Sequence, residues 1–123
     1  MVAETAEIAR ARTFVDTTIE SWGLHSTDDV ALATSEAVTN SVIHAVTDTV
    51  TLSVRRSGSG VHIAVADDDA TAPAVRPPSA DRLGGLGMML IEALARRWGV
   101  TQIENDGKRV WFEMDLPGSV GLD

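Results

Sequence analysis

The chain has 123 residues, of which 44% are apolar and 23% charged, with a formal net charge of −8 and no cysteine. That length suits one domain spanning 1–123, and the charge argues against a nucleic-acid or anionic-membrane surface, since neutralising phosphates takes clustered Lys and Arg. Without cysteine there is neither a disulfide framework nor a thiolate zinc site, the three His are too dispersed to chelate, and no apolar run reaches membrane-spanning length.

Ile8, Ala11, Val15, Ile19 and Trp22 recur at helical spacing and predict a surface helix over 5–22, with Arg12, Asp16 and Glu20 in i,i+4 register outside. Its acidic, amphipathic character is unlike a signal or transit peptide, and a cytoplasmic protein is expected. Gly23 stands where a helix end favours a left-handed residue. Ser26 or Thr27 can cap the next helix, predicted over 28–45, and Asp28 and Asp29 match its dipole. Residues 50–56 and 61–67 alternate with period two around Ser57-Gly58-Ser59-Gly60, which predicts a hairpin.

Residues 67–83 have no periodicity and hold Pro73, Pro77 and Pro78, so a long irregular loop is expected there. Gly84-Gly85-Leu86-Gly87 then leads into a predicted helix over 88–98, with Ile91, Leu94, Ala95 and Trp98 inward, Glu92 paired to Arg96 outside, and Gly99 as its end. Residues 100–104 and 110–116 read as strands about the turn Asn105-Asp106-Gly107, with Val110, Phe112, Met114 and Leu116 inward, before a loose tail. This order predicts an α+β fold: a two-layer sandwich with helices on one face of a mixed, mostly antiparallel sheet.

Within the second helix Glu36, Asn40 and His44 recur every fourth residue and so form one ridge. Val30, Ala33, Ala37 and Ala45 flank it on one side, Leu32 and Ile43 on the other, so the helix should be mostly buried. A carboxylate, an amide and an imidazole are costly to bury unpaired, and such a ridge implies a polar cavity, a ligand or a metal. The alternative is a solvated stripe, which Asp28, Ser35 and Thr39 already supply on another face.

Three further features converge on a nucleotide. Asp67 ends a strand at the mouth of the long loop, where a carboxylate can accept from an exocyclic amine. Gly84, Gly85 and Gly87 precede a helix, whose free N–H groups can hold phosphates, although the segment matches neither the Walker nor the Rossmann pattern. The Pro-rich loop lies between them, where a lid would have to lie.

On these residues the chain resembles the anti-sigma-factor serine/threonine kinases, which share the ATP-binding fold of gyrase and the histidine kinases. Residues 32–40 with His44-Ala45 look like the family's N box, Val65-Ala66-Asp67-Asp68 like the start of its G1 box, and Gly85-Leu86-Gly87-Met88 like its G2 box. The resemblance implies that Glu36 is the general base, Asn40 binds Mg²⁺ and Asp67 recognises adenine. It also places Gly85, Gly87 and Met88 at the nucleotide, the two glycines against its phosphates, with His44 near the phosphate end and 70–83 as an ATP lid. A small anti-sigma-factor antagonist or a sigma factor would be the partner. The chain departs from the pattern at Asp69 and Thr71, where the G1 box has glycines, and at Arg109, where a Thr usually follows Gly-Lys. Family members usually begin with a strand, whereas this chain starts almost directly in its first helix; an incomplete sheet would leave an edge open or use it in self-association as a homodimer. A kinase and a module that sequesters its partner without phosphoryl transfer therefore both remain open.

Overall fold

A computed structural model describes residues 2–44, 50–67, 83–103 and 107–117, with the backbone alone for 2–5, 42–44, 83–86 and 103. The elements run α1 (Val2–Ser21), α2 (Asp28–His44), β1 (Thr51–Ser57), β2 (Gly60–Asp67), α3 (Leu83–Leu94), β3 (Arg97–Ile103) and β4 (Gly107–Asp115). α1 buries Ala11, Val15 and Ile19, and Gly23 ends it at φ +80°, a conformation that costs glycine little. Thr27 caps α2, its Oγ1 accepting from the Val30 N–H at 3.1 Å, and Asp28 and Asp29 occupy the positive end of the helix dipole.

The four strands are ordered β1-β2-β4-β3, and all three pairings are antiparallel. β2 and β3 thus run parallel with β4 inserted between them, and α3 carries the chain across that split connection. One face of the sheet, bearing Val61, Ile63, Val65, Val110, Phe112 and Met114, packs with Val15, Ile19, Val30, Ala33, Ala37 and Ile91 of the helices into one core. The fold is α+β, with helices on one face of an antiparallel sheet.

The chain departs from the sequence reading around α3. The helix begins at Leu83 and ends at Leu94, so Gly84, Gly85 and Gly87 form its first two turns instead of preceding it. Its last turn closes with the Ala95 N–H donating to the Ile91 carbonyl at 2.8 Å, after which the Arg96 N–H donates to the Glu113 carbonyl and the chain joins the sheet. Trp98 and Gly99, expected to finish the helix, therefore belong to β3, opposite Phe112 and Trp111. Trp98 fits both the helical spacing of Ile91 and Leu94 and a period-two alternation with Val100, and cross-strand pairing decides in favour of the second. For the same reason Arg96 does not reach for Glu92: it lies 3.5 Å from both Glu113 and Asp115. Leu32, expected on a buried flank of α2, is exposed. The expected lid, apart from Leu83, and the turn residues Asn105 and Asp106 lie outside the described residues, as does Ala45.

Candidate functional site

Burial on α2 is graded along its polar residues. Val30, Ala33 and Ala37 are fully buried, Asn40 is 4% exposed and Glu36 is half-buried. Helical geometry puts Glu36 and Asn40 one turn apart on the same ridge, and His44 is the last residue of the helix. Glu36 meets α3 at Gly87. A Cβ at position 87 would stand 2.9 Å from Glu36 Oε1, so the carboxylate occupies the space that a side chain there would need. Burial raises the Glu36 pKa above the ordinary carboxylate value, because the charged form has lost part of its hydration.

The glycines of α3 differ in what they offer. Gly85 lies in the first turn, where backbone N–H groups have no intrahelical acceptor and face whatever lies beyond the helix end. Gly87 lies two residues further in, at the start of the second turn, and serves the contact with Glu36. Met88 beside it is 1% exposed and joins the core.

Asp67 closes β2 with its side chain on the helix-covered face of the sheet, directly opposite Lys108 of β4. Lys108 Nζ donates to Asp67 Oδ1 at 3.1 Å, and both side chains are essentially without solvent contact. Two charges are withdrawn from water here and retained by each other. Arg109, which stands where the family pattern has a Thr, is exposed and points to the opposite face, because successive strand residues alternate. Lys108 is the residue that faces Asp67.

Lys108 was legible only as half of a Gly-Lys pair, and nothing in its neighbours announces a buried lysine. Thr34 and Ser41 were also missed. They lie two helical turns apart and are fully buried, and among the described residues their hydroxyls have no hydrogen-bond partner. The same is true of Asn40 Nδ2. Since an amide presents either its oxygen or its nitrogen on rotation by half a turn, Asn40 has a buried polar end with capacity for a ligand. With the Glu36 carboxylate on the same ridge, the donor set suits a hard cation such as Mg²⁺. Among the described residues no three His, Cys, Asp or Glu side chains form a metal cluster, so such an ion would take much of its coordination from phosphates and water.

The class of domain is thus an antiparallel sheet covered on one face by helices, with a polar ridge of α2 meeting a glycine-opened α3. A family model described as the histidine kinase-like ATPase domain matches residues 1–114. The chain belongs to that family, whose membership implies ATP binding and points to a regulatory role. A comparison with curated proteins found no match. Among the described residues no helix is long and apolar enough to cross a membrane.

Proposed function

We propose that this protein is a serine/threonine kinase and anti-sigma factor that binds Mg-ATP and phosphorylates a serine of a small anti-sigma-factor antagonist. The observation that carries the reading is Glu36, a half-buried carboxylate of raised pKa held against α3 at Gly87. A general base works best when its pKa approaches the working pH, and partial burial moves Glu36 in that direction. In the proposed step Glu36 accepts the proton of the serine hydroxyl, the serine oxygen bonds to the γ-phosphorus, and the bond to the β,γ-bridging oxygen breaks to release ADP.

The other residues position the nucleotide. Asn40 would hold Mg²⁺, whose charge offsets that of the phosphates. Asp67 would accept from the adenine amine, Gly85 and Gly87 would let the backbone of α3 approach the phosphates, Met88 would back the pocket, and His44 would lie near the phosphate end. In this reading 1–123 is a single ATP-binding domain, 70–83 is its lid, the protein is cytoplasmic, and the outer strands β1 and β3 allow a homodimer.

A second reading is favoured by one observation. Asp67, the residue assigned to adenine, already pairs with buried Lys108. A base entering here must share or displace that contact, which favours a module that keeps the fold and sequesters a sigma factor or its antagonist without phosphoryl transfer. Incubating the full chain with γ-labelled ATP and an anti-sigma-factor antagonist separates the two. Label on a serine of the antagonist supports the kinase, whereas tight binding without label supports sequestration.

A further inference from the structure

The sheet face away from the helices carries its own organisation. Arg55, His62, Glu113 and Arg97 stand in one row across all four strands, each directly opposite the next. Glu113 is the hub: His62 Nδ1 lies 2.8 Å from its Oε2, and Arg97 Nη2 donates to its Oε1 at 2.7 Å. The next row is Ser53, Ala64, Trp111 and Gly99, and the one after it Thr51, Ala66, Arg109 and Thr101. Trp111 is thus the one large apolar residue in three rows of otherwise small or charged side chains. Its ring stacks on His62 with centroids 5.5 Å apart, and it occupies the space above Gly99, where a Cβ would stand 2.8 Å from the indole. Among the described residues no element covers this face.

Charge separates the two sides of the molecule. The three helices carry eight carboxylates and two guanidiniums. The outer sheet face shows Arg55, Arg97 and Arg109, with Arg96 at its edge, against Glu113 and Asp115. Arg96 and Arg97 lie against Glu113, whereas exposed Arg55 and Arg109 have no ion-pair partner among the described residues. Strand geometry sets these two about 16 Å apart, two strands over and four residues along, with Trp111 in the row between theirs.

We propose that this face docks an acidic segment of a partner protein, with carboxylates reaching Arg55 and Arg109 and an apolar side chain resting on Trp111. The small side chains of Thr51, Ser53, Ala66 and Thr101 let a partner backbone approach closely, and the surrounding guanidiniums select for negative charge. A second copy is the poorer fit, because a two-fold pairing of this face sets basic rows against basic rows. Nucleic acid is disfavoured by the overall charge of −8.

The test is amide-shift mapping on the full chain with a short synthetic peptide repeating Glu-Glu-Leu-Glu, compared with its Lys counterpart and with oligothymidylate, at low and at high salt. The Glu peptide should shift the amides of Thr51, Arg55, Ala64, Ala66, Gly99 and Arg109 and the Trp111 indole, leaving Glu36 and Met88 unmoved. Salt and the double variant Arg55→Glu/Arg109→Glu should each weaken it by about tenfold or more. Both residues are exposed, and an unchanged spectrum elsewhere shows that the variant is folded. Equal binding of the Lys peptide, tighter binding of oligothymidylate, shifts centred on the helices, or undiminished binding by the double variant would each overturn the proposal. So would shifts that follow protein concentration instead of peptide, which would assign the face to self-association.

Discussion

Glu36 Oε1 stands 2.9 Å from the point where a Cβ at Gly87 would be, so α2 and α3 meet where a carboxylate fills the room that glycine leaves. Gly87→Ala tests whether that position is chosen for function. Alanine in a helix interior gains about 1 kcal/mol over glycine, and turning a flexible Glu side chain aside costs about 0.5–1.5 kcal/mol, so global stability should change by less than about 1 kcal/mol. Phosphoryl transfer should fall sharply, because the displaced group is the proposed base. A melting curve beside a transfer assay checks both halves; a variant that unfolds while its folded fraction transfers normally would make Gly87 a packing residue.

The metal assignment rests on Asn40, buried with one end of its amide unpartnered among the described residues. Asn40→Ala should weaken ATP binding much more with Mg²⁺ present than in EDTA. Calorimetric titration in the two conditions reads the difference directly, and equal loss in both would give Asn40 a packing role instead.

Asp67 and Lys108 form a pair with side-chain exposures of 0% and 1%. Removing one member takes from a buried charge the partner that faces it, so Lys108→Met should destabilise the fold by up to about 3–5 kcal/mol, whereas Asp67→Asn with Lys108→Met should recover much of that loss. Urea unfolding of the two single variants and the double variant measures the coupling. A Lys108→Met loss below about 1 kcal/mol would show that the pair is looser than its geometry.

Glu113 has its pKa lowered to about 2, first by the His62 hydrogen bond and then by that from Arg97, against the raising effect of burial. A carboxylate with a depressed folded pKa contributes stability that is present above its unfolded value and lost as pH falls towards the folded one. Unfolding curves of the parent and Glu113→Gln should therefore differ by a constant amount above about pH 4.5 and converge between there and about pH 2. A difference that stayed constant through that window would mean that these partners do not hold the charged form.

Much of this was legible because local chemistry and tertiary packing agree. The Gly23 end, the Thr27 cap, the hairpin about Gly58 and the inward column Val110, Phe112 and Met114 all stand where periodicity and turn residues put them. The start of α3 was hidden because three glycines in four residues read as a loop, yet Gly87 lies inside the helix, where its missing side chain accommodates Glu36. The inward turn of Lys108 could be had only from strand register, which fixes whether 108 or 109 faces Asp67. The Arg55, His62, Glu113 and Arg97 row joins four strands and has no signature along the chain.

Glu36 is proposed to take the proton from an attacking serine, and Glu36→Gln keeps its shape while removing the base. Burial raises the Glu36 pKa, so its charged form weakens the fold as pH rises through that pKa; the neutral Gln should be at least as stable as the parent at neutral pH. The decisive measurement is single-turnover transfer from Mg-ATP to an anti-sigma-factor antagonist by parent and variant, with nucleotide affinity taken alongside. Mg-ATP affinity should be nearly equal and transfer slower by about a hundredfold or more in the variant. Transfer at the parent rate by a fully folded Glu36→Gln, or no transfer by the parent despite tight partner binding, would contradict this role of Glu36.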